Sequence, residues 1–158
     1  MRKTLRSLLG VALALSLTSG AAFSASAADD AGERTVARPQ RVKIVAMDYH
    51  YMGVKETYKP KRTIFSFTNE GEQDHMAVII KMLHGKTLQQ LLDMPDKKAE
   101  KHIKFIGDLF AKAGKSSKQV IDTKLKTGRY AMLCFAQDSD QAPPHFTQGM
   151  IHKFKVRN

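Results

Sequence analysis

Three side chains with affinity for soft metals fall in one C-terminal run: Cys134-Phe-Ala-Gln-Asp-Ser-Asp-Gln-Ala-Pro-Pro-His145-Phe-Thr-Gln-Gly-Met150. A thiolate, two imidazoles and a weak axial thioether form the ligand set that suits a copper electron-transfer centre, so this chemistry needs a second histidine. His75, where a polar loop meets an apolar run, is the candidate. Each residue also has an ordinary reading. A lone cysteine in an apolar strand is most often a small buried hydrophobe, Met150 suits a core, and the histidines suit loops.

These residues need elements to position them. Val42, Ile44 and Ala46 alternate with Lys43 and Val45, the period of a half-buried strand that runs into Asp48-Tyr-His-Tyr51. Thr63-Ile-Phe-Ser-Phe-Thr68 reads as a second strand, and Asn69-Glu-Gly-Glu-Gln-Asp74 as a loop that delivers His75 to the strand Met76-Ala-Val-Ile-Ile-Lys-Met-Leu83. Further strands are expected near Val120-Ile121, over Arg129–Phe135 and over Met150–Val156. Between Gly85 and Gly114 the period changes. Thr87–Leu92 reads as a helical turn, and the spacing of Ile103, Ile106, Leu109 and Phe110 predicts an amphipathic helix, so a helical insertion is placed at about 86–114. Seven or so short strands with one helical excursion predict an all-β Greek-key sandwich. In such a fold the strand ending at Cys134 and the strand starting near Met150 can be neighbours. The 135–149 loop then leaves and returns to one end of the sandwich, with Pro143-Pro144 stiffening the approach to His145.

Arg2, Lys3 and Arg6, the apolar run Leu8–Leu17 and Ala25-Ser26-Ala27 have the order of a cleavable export signal over 1–27. Its apolar stretch is too short for a stable membrane span. Residues 28–40 lack periodicity and read as a flexible tail, leaving one domain over 41–158. Without residues 1–27 the chain carries 23 basic against 15 acidic side chains, a formal +8, which favours acidic partners. The basic residues are scattered with no aromatic-basic motif, which argues against nucleic acid. A single cysteine excludes an internal disulfide, and a free thiol in an oxidising compartment calls for burial, metal binding or pairing between chains. No serine elbow and no glycine-rich phosphate loop is present, so an enzyme is not expected. His84 and His102 read as solvated, and His152 shares a strand face with Met150.

Phe67-Thr-Asn-Glu-Gly with His75 after it, Thr127-Gly128-Arg-Tyr130 leading into Leu133-Cys134, and the order Cys134, His145, Met150 resemble the cupredoxins, the plastocyanin and azurin family of blue copper proteins. The likeness runs from about residue 42 to 156 and leaves out the helical insertion. It implies copper held by His75, Cys134 and His145, with Met150 as a long axial ligand. Ten residues separate Cys134 from His145, longer than in plastocyanin or azurin and closer to the copper nitrite reductases. Leu133 and Ile80 stand where the catalytic copper of those enzymes needs histidines, which disfavours that activity. Met76 stands where the family commonly has an asparagine that braces the cysteine loop.

The resemblance implies an exported, periplasmic or secreted, mononuclear type 1 copper protein. It would carry single electrons between redox partners, with His145 as the exposed ligand edge and lysines steering an acidic partner. The alternatives are a copper-binding or delivery protein, for which residues 28–41 supply no histidine or methionine, and a metal-free cupredoxin-like interaction module.

Overall fold

The computed structural model describes residues 38–158, so the expected export signal over 1–27 and residues 28–37 of the tail expected over 28–40 lie outside the described residues, while Gln40 opens the first strand. Among the described residues nine strands form two sheets. One sheet has the order β2-β1-β4-β7, from His50–Met52, Gln40–Met47, Arg62–Asn69 and Ile121–Lys124. The other has the order β3-β9-β8-β5-β6, from Thr57–Tyr58, Ile151–Val156, Gly128–Leu133, His75–Met82 and Ile103–Ala111. Strands β1 and β4 pair in parallel, as do β3 and β9, and the remaining neighbours are antiparallel.

The strand-period positions fill the space between the sheets. Val42, Ile44 and Ala46 of β1 meet Phe65 and Phe67 of β4, and both rows face Ala77 and Ile79 of β5, Tyr130 and Met132 of β8 and Phe154 of β9. Each large apolar side chain removed from water here contributes about 1.5–3 kcal/mol. Tyr130 stacks on Phe154 with ring centroids 5.0 Å apart, while its hydroxyl donates to the Lys126 carbonyl at 2.7 Å.

The helical insertion is present but shorter than its sequence suggests. It comprises α1 (Leu88–Leu92), α2 (Asp96–Ala99) and a 3₁₀ turn over Glu100–His102. Thr87 caps α1 in a reciprocal box with Gln90, and Leu88 packs with Ile80, Ala131 and Leu133 on the outer face of the β5/β8 sheet. That cluster occupies the two positions where a nitrite-reductase copper would need histidines.

The helix expected over Ile103–Phe110 is instead strand β6. The pairing register shifts between Ile79 and Ile80, so that Ile79 faces Gly107 and Ile80 faces Phe105, which leaves Ile106 as an extra residue. This bulge moves the inward face from one parity to the other. Ile103 and Phe105 lie with the outer cluster, while Ile106, Leu109 and Ala111 reach the core. A period of two interrupted by one bulge therefore gave spacings of three and four.

Candidate metal centre

Four connections meet at one end of the sandwich, the β6–β7 loop and the three that carry the site: the β1–β2 turn at Asp48-Tyr49, the β4–β5 loop and the β8–β9 loop. His75 opens β5 and lies opposite Ala111 of β6, with its side chain wholly buried. Cys134 follows β8 directly and is also buried. Its N–H donates to the Met150 carbonyl at 3.2 Å and its carbonyl accepts from the Phe146 N–H at 2.8 Å, while His145 N–H donates to Ala136 at 2.9 Å. These backbone bonds clip the long loop shut at its base. A 3₁₀ turn over His145–Gln148, ended by Gly149 in the left-handed region at φ 103°, then brings the chain round to Met150.

The structure brings the expected donors together. The Nδ1 atoms of His75 and His145 lie 3.0 Å apart, and the Cys134 Sγ lies 3.8 and 3.6 Å from them. Met150 is fully buried beside them, its N–H donating to the His145 carbonyl at 3.0 Å. His50 and His152 stay out of the cluster: His50 contacts the Asp48 carbonyl, and His152 Nε2 contacts the Lys55 carbonyl.

Two carboxylates that sequence reasoning did not single out complete the site. Asp138 Oδ1 lies 2.8 Å from His145 Nε2, and Asp48 Oδ1 lies 3.3 Å from His75 Nε2. An ionised carboxylate only accepts, so each ring nitrogen facing one carries its proton there. Both Nδ1 atoms are then left as lone-pair acceptors, pointing at one another and at the thiol. That arrangement suits a shared cation, and the donors are the soft and borderline ones that prefer a transition metal to calcium or magnesium.

The supports are themselves anchored. Tyr49 donates to Asp138 at 2.7 Å and sets its ring edge-on to His145, and its backbone is left-handed at φ 62°. The Glu72 N–H donates to Asp48 at 2.9 Å. A Cβ on Gly71 would lie 2.4 Å from Asp48 Oδ1 and 3.1 Å from His75 Nε2, so only glycine lets the loop pass this close. Asn69, fully buried, accepts from the Gly71 N–H and donates to the Gln73 and Ala111 carbonyls, tying the loop to β6. At Met76 the backbone takes over the bracing. Its N–H donates to Cys134 Sγ at 3.4 Å, and its carbonyl accepts from Tyr51 at 2.5 Å.

Charge follows this geometry. Burial raises the Cys134 thiol above its ordinary value, against the pull of the Met76 N–H. Burial lowers His75, partly offset by Asp48, so neutral imidazole is favoured. Bonds from Tyr49 and His145 hold Asp138 below the usual carboxylate range. One expectation is corrected: His145 is not an exposed edge. Its side chain is 0 % accessible, because Tyr49 and Asp138 cover the ring nitrogen that would have faced water.

No protein-family model and no curated protein matches the sequence. Among solved structures, dithionite-reduced auracyanin from the photosynthetic bacterium Roseiflexus castenholzii matches over 75% of this chain and 98% of its own, at 18% identity and a TM-score of 0.51. Auracyanin A, titled a "blue" copper protein from Chloroflexus aurantiacus, matches over 76% of this chain and 100% of its own, at 14% identity and a TM-score of 0.48. Reduced rusticyanin matches over 76% of this chain and 81% of its own, at 17% identity and a TM-score of 0.47.

Proposed function

We propose that this chain, a cupredoxin by fold, is an exported mononuclear type 1 copper protein that carries single electrons between redox partners. His75, Cys134 and His145 would hold the metal and Met150 would be the weak axial ligand. The observation that carries this reading is the convergence of two Nδ1 acceptors and one thiol on a single buried point. Copper, when bound, supplies a one-electron couple.

The protein's own residues account for the rest. Asp48 and Asp138 hold the imidazoles in one tautomer and orientation. The clips between Cys134 and Phe146 and between Ala136 and His145 limit how far the donors move when their charge environment changes. Burial of all four side chains excludes water and favours retention over exchange, which counts against delivery. With His145 covered, an exposed aromatic surface beside the site is Phe135, 46 % exposed and 4.9 Å from the Phe146 ring. These two aromatics follow Cys134 and His145 directly in the chain, so the contact patch for a redox partner is placed there. Lys97, Lys98, Lys101 and Lys104 around the insertion would favour an acidic partner. Among the described residues no helix is long and apolar enough to cross a membrane.

The test is to add copper(II) to the purified protein and record its visible spectrum. An intense thiolate-to-copper band that bleaches reversibly on reduction and is missing in Cys134→Ser is the expected result. A folded protein that takes up no copper would overturn the reading.

A further inference from the structure

A second pair of histidines stands at the other end of β5. His84 lies just beyond the last β5–β6 ladder pair, Met82 with Ile103, and His102 lies just before it. The Leu83 N–H donates to the His102 carbonyl at 2.8 Å, so both residues are anchored at the end of a rigid ladder, where the chain leaves for the helical insertion and returns. The chain passes through a left-handed turn here, at φ 51° for His84 and φ 70° for Gly85. Across this neck the two Nδ1 atoms lie 3.1 Å apart, with ring centroids 5.2 Å apart and planes at 84°. The buried pair has nearly the same arrangement, with Nδ1 atoms 3.0 Å apart, centroids at 4.9 Å and planes at 68°. Two imidazoles bound to one metal at about 2.0–2.1 Å hold their nitrogens about 2.9 Å apart at the square corners copper(II) prefers and about 3.3 Å apart in a tetrahedron. A direct contact between two neutral rings uses one lone pair and one proton, whereas a shared ion uses both lone pairs at the same spacing.

We propose that His84 and His102 form a second, solvent-facing metal site that clamps the neck of the helical insertion, with copper(II) as the preferred ion. Imidazole nitrogens suit copper, nickel and zinc, and copper(II) binds most tightly in that series. His84 is exposed, so water completes the coordination. With no thiolate among its donors, copper here lacks the intense charge-transfer band of a thiolate site. Lys86, Lys98 and Lys101 lie close enough to repel a cation, so the site binds more weakly than the buried one. Roughly 23 Å of strand separates the start of β5 from its end, at about 3.3 Å per residue, so the two sites do not share ligands.

The experiment adds a first and then a second equivalent of copper(II) to the purified protein, with electron paramagnetic resonance and chelator competition as readouts. The same titration is run on His84→Ala, His102→Ala and Cys134→Ser. A second, weaker equivalent should give an axial signal without an intense visible band. Each histidine variant should lose at least about tenfold in affinity for that equivalent, no less than the loss of an outer-shell partner causes, while keeping its circular dichroism and its response to the first equivalent. Cys134→Ser should retain an axial signal that is weakened when His84→Ala is added to it, which separates this site from the imidazoles left at the proposed electron-transfer centre. A second equivalent that is absent from the unaltered protein, or equally tight in both histidine variants, overturns the proposal.

Discussion

Two pairs of histidines sit at opposite ends of β5 with almost the same spacing between their Nδ1 atoms, and they differ in what stands behind them. His75 and His145 are buried, each with a carboxylate on its far nitrogen and a thiol beside its near one. His84 and His102 lie at the surface among lysines, with no carboxylate among their hydrogen-bond partners. The contrast teaches that spacing alone makes two imidazoles able to share an ion. Tautomer control and burial are what would make a site hold one firmly.

The sharpest way to break the comparison is to remove one imidazole from each pair. His145→Ala should abolish the visible thiolate band and weaken copper binding beyond the 10–100-fold typical of a lost support, whereas His84→Ala should leave the band intact. If both variants kept the band, the buried pair would have no special standing. Next in size is the support itself. Asp138→Ala frees His145 Nε2 and removes the partner of Tyr49, and a loss of about 10–100-fold in copper affinity is expected by chelator competition. Asp138→Asn, whose amide oxygen still accepts, should recover part of it. Affinity unchanged in Asp138→Ala would mean that burial, not tautomer control, separates the pairs.

A smaller effect tests the exposed end in metal-free protein. His84→Gly relieves the left-handed backbone, worth ~1 kcal/mol, at the loss of a solvent-exposed contact, and should raise the stability read from urea unfolding by about 0.5 kcal/mol. A clear loss instead would show that the contact stabilises the neck even without an ion. The smallest effect sets a baseline away from both pairs. Arg62 donates to Asp122 at 2.6 Å across β4 and β7 and holds that carboxyl below its ordinary 3.8. The pair therefore stabilises the fold above that value, and its contribution is lost as pH falls through the lowered one. Asp122→Asn should be slightly less stable than the parent near neutrality and equal to it in acid. A difference that persists in acid would assign the effect to packing.

How much of this is legible in the sequence depends on how rare each signal is. A lone thiol, a histidine and a methionine on one loop are uncommon enough to stand out, and His75 is marked by its place between a polar loop and an apolar run. The alternating rows of β1, β4 and β9 are likewise plain, because one face is buried and the register is continuous. Asp48 and Asp138 carry no such mark. Each lies in a polar turn where an acidic residue ordinarily meets water, and only the fold brings it to a ring nitrogen 27 or 7 residues away. A useful local signal is an acidic residue four positions after the cysteine, inside the loop that must return to the second histidine. The misreading of β6 has a different source, since one extra residue at Ile106 is enough to give a strand helical spacing. His84 and His102 look unrelated at 18 residues apart until the ladder between Met82 and Ile103 sets them side by side.

The clips at the base of the 135–149 loop bear on how such a protein can be rebuilt. Cys134 and Ala136 are bonded to Phe146 and His145 through the main chain, and Asp138 reaches back to His145 from just inside that knot. Beyond it, Ser139, Asp140 and Gln141 form an exposed crest. Donor placement is therefore encoded in the knot and not in the length of chain it closes. New chain ends opened between Asp140 and Gln141, or a foreign peptide spliced there, would leave the donors where they are and turn this crest into an attachment point beside the site.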